Sequence, residues 1–373
     1  MGNNTVTILC SGFGLGFYTP GLIINYNLKK KQVDTEVLVF ENYIVKDKKE
    51  HINDSKKAYH ENFSVALIAQ KLPRDMKQSI DENAVEELLL GWKKEDRCNF
   101  IVLSGHWVYI LDRYCEMIKP KKVNVDLLYI DSELSPSWKS LKKYNPEYSS
   151  RYHEKWIVNA EKMEACFKIP VTERSPIPFR QRRNSIVIHG GGWGMGTYQS
   201  KIPELEEQSF SLDIVAYEQS EAKDQKPGNR YFMNDPSWSA WNRNENGEYG
   251  FPPLGEIKEG EKPVFTSKEE YHRWFDVTCE AKAIVSKPGG GTMIDSLSSG
   301  TPIVFLEPFG KHEKKNAELW EQLGFGIQYD KWRESGYSMD VLERLHENII
   351  RAKDSIPDYV CDYIKNLTAR GES

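Results

Sequence analysis

The 373-residue chain reads as an α/β protein made of two doubly wound domains that face one another across a cleft. Three observations predict this. A strand–glycine–helix unit opens the chain, TVTILCSGFGLGFYTPGLIINYNL (5–28). A second unit of the same kind, NSIVIHGGGWGMGT (184–197), restarts the pattern halfway along. Strands and helices alternate after each unit, and the length suits two ordinary domains better than one core.

TVTILC (5–10) is an apolar run of strand length. Beyond its glycines, Pro20 fits the first turn of a helix carried by the apolar residues that follow. VDTEVLVF (33–40) is the second strand and ends at Glu41. The charged stretch KDKKEHINDSKK (46–57) reads largely as loop, and helical patterns lie around 55–72 and 82–94. FIVLSG (100–105) and VDLLYID (125–131) are strands with a helix near 108–118 between them. RSPIPFRQRRN (174–184) has the prolines and charges of a linker, which divides the chain into residues 1–180 and 181–348. In the second half KIPELEEQ (201–208) is a helix, and LDIVAY (212–217), PVFT (263–266), AIVS (283–286) and PIVFL (302–306) are strands. The Asn- and aromatic-rich stretch 219–254 reads as an inserted loop.

Composition narrows the function. A formal net charge of −5 gives no electrostatic case for nucleic acid. The basic clusters LKKK (28–31) and KPKK (119–122) read as solvated helix ends or loops, with a patch for an anionic membrane surface or an acidic acceptor as the alternative. Six scattered cysteines without CxxC or metal-like spacing read as reduced thiols of a cytoplasmic protein. The start MGNNTVTILCSG has no signal-peptide pattern, and no apolar run reaches the roughly 20 residues that span a bilayer. The expectation is a soluble protein, with peripheral membrane contact as the most it would make.

The chemistry concentrates in VSKPGGGTMIDSLSSGTPIVF (285–305). Three glycines and Thr292 stand where a strand hands over to a helix, and backbone N–H groups at a helix start bind phosphate. Asp295, expected on the first turn of that helix, is placed to accept from ribose hydroxyls; a tight turn with a capping carboxylate is the plainer alternative. The spacing is not that of a P-loop, which disfavours an ATPase. In EPFGKHEKKNAELWEQLGFGI (307–327), His312, Glu313 and Asn316 follow a strand at a helix start, where carboxylate and amide groups suit a sugar's hydroxyls; a charged helix start is the alternative.

The pattern KPGGGTxxDxLxxGTPIVF, followed by HExxN and GFG, resembles the donor half of GT-B glycosyltransferases, in particular the monogalactosyldiacylglycerol synthases and the N-acetylglucosaminyltransferase that forms lipid II. HGGGWGMG (189–196) is similar to that group's interdomain loop. SKKAYHENF (55–63), FIVLSGHW (100–107) and YIDSELSPSW (129–138) follow in the family's order, so the resemblance covers nearly the whole chain. It implies two Rossmann-like domains, a UDP-sugar bound by the C-terminal one, and a final helix near 349–373 crossing back to the first. By motif position, Gly290, Gly291 and Thr292 would hold the diphosphate and Asp295 the ribose. Glu313 and Asn316 would lie near the sugar or diphosphate, Phe265 at the base, and Gly192 and Trp193 along the diphosphate. The resemblance implies no cofactor beyond the donor UDP-sugar and no metal, and no DxD pair stands at a suitable strand end.

The family's first loop usually carries a histidine as general base, and Phe17 occupies that position here. Phenylalanine takes no proton, while inversion requires one to be removed from the acceptor. His106 in LSGHW is the leading replacement, with Asp131 and Glu41 at equivalent strand ends next; each has a structural alternative as a satisfied histidine or a loop anchor. Tyr18 and Thr19 are expected on the acceptor side. The acceptor is a lipid, a natural product or another small molecule. A sugar-nucleotide epimerase and a non-catalytic UDP-sugar-binding subunit are the competing classes.

Overall fold

The computed structural model describes residues 3–71 and 75–371; Leu72, the end of one expected helical pattern, lies outside them. The first half contains strands β1 (Asn3–Cys10), β2 (Thr35–Val39), β3 (Arg97–Val102), β4 (Asn124–Tyr129) and β5 (His153–Trp156). They form one parallel sheet in the order β2-β1-β3-β4-β5. Val6, Ile8 and Leu9 of β1 and Phe100, Ile101 and Val102 of β3 are fully buried. A parallel sheet covered on both faces needs such unbroken apolar runs.

The covering helices are α1 (Leu15–Lys30), α2 (Lys46–Glu61), α3 (Phe63–Ala69), α4 (Glu82–Lys94), α5 (Val108–Met117) and α6 (Pro136–Tyr144). In α4 the Asp81 side chain accepts from the N–H groups of Asn83 and Ala84, and Val85, Leu89 and Trp92 face the core. Three local expectations change. α1 begins at Leu15, so Pro20 stands inside it rather than in its first turn. The charged stretch 46–57 is helix, with Lys46–Glu50 and Lys57–Glu61 one turn apart. The helical pattern around 55–72 is broken at Asn62, which leaves the helical region and accepts from the N–H of Ser64.

A short hairpin, β6 (Val158–Asn159) and β7 (Glu164–Ala165), precedes the linker. The second half contains β8 (Ser185–His189), α7 (Ile202–Glu207), β9 (Ser211–Val215), β10 (Arg230–Asn234), β11 (Leu254–Ile257), α8 (Trp274–Glu280) and β12 (Ala283–Ser286). Then come α9 (Gly290–Ser299), β13 (Ile303–Phe305), α10 (Lys311–Gln322), β14 (Gly326–Gln328), α11 (Tyr329–Glu334), α12 (Met339–Lys353) and α13 (Tyr359–Gly371). The strands pair as β11-β10-β9-β8-β12-β13-β14, parallel except for β10 with β11.

Stretch 219–254 is therefore not all loop: RYFMN is β10, its Tyr231, Phe232 and Met233 buried beside β9. PVFT is not a sheet strand and makes only the isolated bridge Leu254–Thr266. The final helical pattern breaks between Lys353 and Tyr359. From there α13 runs back over the first sheet, where the Tyr359 hydroxyl donates to Asp126 of β4 (3.3 Å) and Lys155 of β5 pairs with Asp362 (2.9 Å).

Candidate active site

The loops leaving the carboxyl ends of both sheets converge on a cleft of about 1720 Å³, the position at which doubly wound folds bind their ligands. The loops also touch. A Cβ at Gly192 would stand 2.5 Å from the Leu15 side chain, and one at Gly290 would stand 2.6 Å from Ile130 and 2.9 Å from Asp131 Oδ1. Only glycine permits so close an approach of the two halves.

His106, Asp131, Glu41, Gly192, Trp193, Gly290, Gly291, Thr292, Asp295 and Glu313 all line this cleft. Several are already engaged. The Glu41 carboxylate is 2% exposed and accepts from the Ser11 hydroxyl (2.7 Å) and the N–H groups of Gly12 (2.7 Å) and Phe13 (2.8 Å). Burial raises its pKa against these hydrogen bonds. Its two oxygens hold the first glycine loop in shape, a different task from proton removal. His106 is the opposite case: among the described residues none hydrogen-bonds its ring, which leans on Phe40 at 5.1 Å. Burial lowers its pKa to about 4, so at neutral pH it is an uncharged imidazole. One oxygen of Asp131 accepts from Asn316 Nδ2 (2.8 Å).

Asn316 does not reach the cleft. It is fully buried; its Nδ2 donates to Asp131 and to the Pro288 carbonyl (2.9 Å), and its Oδ1 accepts from the Ser132 N–H (2.8 Å). It joins the two domains rather than meeting a sugar. Phe265 is also displaced from its expected role, because its ring packs on Gly255 of β11, away from the cleft. Leu254 and Trp274 stand on the cleft wall instead. Tyr18 is fully buried and donates to the Gly250 carbonyl (2.9 Å), while Thr19 does line the cleft. Asp295 lies in the second turn of α9, not the first, and is held by His272 Nε2 (3.1 Å).

Glu313 accepts from the Phe309 N–H (2.7 Å) and from Lys287 Nζ (2.5 Å). Lys287 is the cleft residue that motif reading passed over, although it stands inside KPGGGT. Its ammonium lies 3.7 Å from a Cβ placed on Gly191 and 3.6 Å from one placed on Gly289, between the two glycine loops of the second domain. His189, at the end of β8, also lines the cleft. Its Nδ1 accepts from the Gly191 N–H (2.9 Å), which fixes the neutral tautomer with hydrogen on Nε2. Burial, then the positive charge of Lys287, lowers its pKa to about 3. Among the described residues, no cluster of three or more His, Cys, Asp or Glu side chains is arranged to hold a metal ion. None of the six cysteines is in a disulfide, and no described helix is long and apolar enough to cross a membrane.

No family model and no curated protein matches the chain. Solved structures match it end to end. The glycosyltransferase SnogD from Streptomyces nogalater aligns over 99% of both chains, at 10% identity and a TM-score of 0.55. MurG from Acinetobacter baumannii aligns over 98% of this chain and 99% of its own, at 12% identity and a TM-score of 0.50. The spinosyn rhamnosyltransferase SpnG, complexed with thymidine diphosphate, aligns over 98% and 100%, at 9% identity and a TM-score of 0.51. What the chain shares with them is the GT-B fold, two Rossmann-like domains facing one another across a cleft at the carboxyl edges of their sheets.

Proposed function

We propose that the protein transfers a glycosyl group from a pyrimidine nucleoside-diphosphate sugar, a UDP-sugar by the family resemblance, to a hydroxyl of a small acceptor, with inversion and without a metal. One observation carries the reading: a buried-side lysine, two glycine loops and the start of α9 meet at one point of the cleft. That is a site for a diphosphate. The first-turn amides of α9 have no intrahelical partners and face the ligand with the positive end of the helix dipole. Lys287 adds a full charge where the leaving diphosphate gains one, the task a divalent ion would otherwise perform.

The other residues take roles around that point. Gly290, Gly291 and Thr292 supply amides, and Gly192 and Trp193 close the opposite wall. Asp295, oriented by His272, takes the ribose hydroxyls. Trp274 and Leu254 enclose the base in place of Phe265. Glu313 holds Lys287 and the 309 loop, and Asp131 stands beside Gly290 on the first-domain side. His106 is the base with an uncommitted ring. The thymidine diphosphate bound to SpnG belongs to the same ligand class. No cofactor other than the donor is invoked.

The test is thermal unfolding with UDP, thymidine diphosphate and ADP, on the wild type, Lys287→Met and Asp295→Asn. A ligand at a hundredfold excess over Kd stabilises by about 2.7 kcal/mol. We expect a shift with a pyrimidine diphosphate, reduced in both variants. A protein unmoved by all three nucleotides would sink the reading.

A further inference from the structure

We infer that the acceptor is a planar aromatic compound glycosylated on a phenolic hydroxyl. The inference rests on the glycosyl-transfer reading above and concerns the half of the cleft that the donor does not fill.

That half runs from the first glycine loop to α2, the turn at Met76–Ser79 and α6. Its walls are aromatic. Phe13 is 41% exposed, standing edge-on to Trp193 with ring centroids 4.4 Å apart, and Tyr59 stacks on the same indole at 5.7 Å. Phe17 continues the wall, with Phe40 buried behind it against His106 and Trp107, and Tyr144, 44% exposed, stands at the far end of α6. Rings lining a cleft, two of them exposed, offer faces and edges to a planar guest. A flexible alkyl chain gains nothing from that geometry that leucines would not supply.

The proton acceptors of this half are weak or occupied. Glu41 accepts three hydrogen bonds from the first loop. Asp75 accepts from the Lys77 N–H (3.1 Å) and caps the turn it precedes. His51 is at the rim, within 3.5 Å of Asp47 and 3.3 Å of Asp54. Asp131, beyond the end of β4, stands against Gly290, and one of its oxygens is occupied by Asn316 Nδ2 (2.8 Å). His106 is left, with no carboxylate among the described residues to support an imidazolium. Such a base takes a proton poorly from an alkyl alcohol. A phenol, with a pKa of about 10 against about 15.7 for water, needs far less help. Lys48 lines the same half and favours a phenolate, and Lys139, paired with Glu133 at 3.4 Å, stands on the same wall.

The step balances without another reagent. The phenol proton leaves to solvent, directly or through His106. The phenolate oxygen forms the new bond to the anomeric carbon, and the bond from that carbon to the diphosphate breaks, its electron pair departing on the nucleoside diphosphate.

The experiment uses the full chain with UDP- and TDP-sugars and four acceptors: 2-naphthol, 2-naphthalenemethanol, cyclohexanol and diacylglycerol in vesicles. Product is read by mass and nucleotide release is corrected for hydrolysis. The first two acceptors share a ring system and differ in hydroxyl acidity. We expect a naphthyl glycoside, with kcat/KM for 2-naphthol on the order of 100-fold above that for 2-naphthalenemethanol. Phe13→Ala removes the ring that stands on Trp193 and should raise KM for 2-naphthol by a larger factor than it raises Kd for the nucleotide. An equal change in both would mean that the ring serves the donor site alone, and would overturn the inference. Equal or faster transfer to 2-naphthalenemethanol, cyclohexanol or diacylglycerol overturns the inference. So does the absence of any naphthyl glycoside from a protein that still binds the nucleotide. A protein that binds no nucleotide fails one step earlier and takes the glycosyl-transfer reading with it.

Discussion

Asn316 occupies every face of its carboxamide within the protein, and that decides what its removal does. Asn316→Ala would leave the Ser132 N–H, the Pro288 carbonyl and one Asp131 oxygen without their partner in a fully buried seam. A buried group stripped of its partner costs about 1–3 kcal/mol, so we expect destabilisation of about 3 kcal/mol in urea unfolding. A sugar-binding asparagine would lower affinity and leave the midpoint in place. The contrast also marks what could be read from sequence. Glu41, Asp131 and Glu313 were legible as cleft residues because each follows a strand at the sheet edge. Whether their oxygens are free was not, because the partners come from 29 residues away for Glu41 with Gly12 and 185 for Asp131 with Asn316. Lys287 was in plain view, but a lone lysine in a glycine motif has no meaning until the second glycine loop is folded beside it.

The stretch between β10 and β11 is the element that sequence reading placed least well. Expected to be part of an inserted loop, it is a strap packed against the first domain, with Ala240 beside Gly12 of the first glycine loop. Gly250 accepts from Tyr18, and Asn42 donates to the Trp241 carbonyl (3.0 Å) and the Tyr249 hydroxyl (2.7 Å). The Lys56 ammonium of α2 lies over the Trp241 ring at 5.0 Å and over Trp193 at 5.5 Å. Burial lowers the Lys56 pKa, against the pull of nearby Glu41. Trp241 is 8% exposed. Large aromatic truncations cost about 3–5 kcal/mol, so Trp241→Ala should destabilise by about 3 kcal/mol and open 235–253 to proteolysis. A strap that closed only over ligand would show neither effect without one. The sequence misled here for local reasons. RYFMN is five residues set among asparagines and prolines, and it becomes a strand because β9 lies beside it. PVFT has strand propensity, yet Val264 is 77% exposed and the stretch pairs with β11 only at the single bridge Leu254–Thr266. The unbroken apolar runs in β1, β3, β4, β8 and β12 were legible because burial on both faces leaves little else they could be.

Across the whole molecule the histidines act on stability with opposite signs. His60 of α2 donates from Nδ1 to the Gly194 carbonyl (2.7 Å) and from Nε2 to Glu221 (2.6 Å), tying the first domain to the second. With both nitrogens donating, the ring is an imidazolium. Burial opposes that charge, but the hydrogen bonds to Glu221 and Gly194 prevail and the pKa is raised. Its contribution is therefore complete below the unfolded value of about 6.5 and is lost as pH rises through the folded value. His189, buried, and His106, partly buried, are held neutral by desolvation, with pKa lowered to about 3 and about 4. Between about 6.5 and those values the unfolded chain binds protons that the folded one refuses, so their contribution is present above 6.5 and falls away in acid. At pH 5 the loss for His189 is about 2 kcal/mol. The melting temperature should consequently pass through a maximum near neutrality. His189→Gln keeps an acceptor for the Gly191 N–H, so it should flatten the acid limb between pH 7 and 5 while leaving the alkaline limb unchanged. His60→Gln should do the reverse, lowering stability most below pH 6.5 and converging on the wild type as pH rises. Thermal unfolding of the three proteins from pH 5 to 9 decides it: parallel curves would mean that neither histidine changes its protonation on folding, and the cross-domain imidazolium would have to be abandoned.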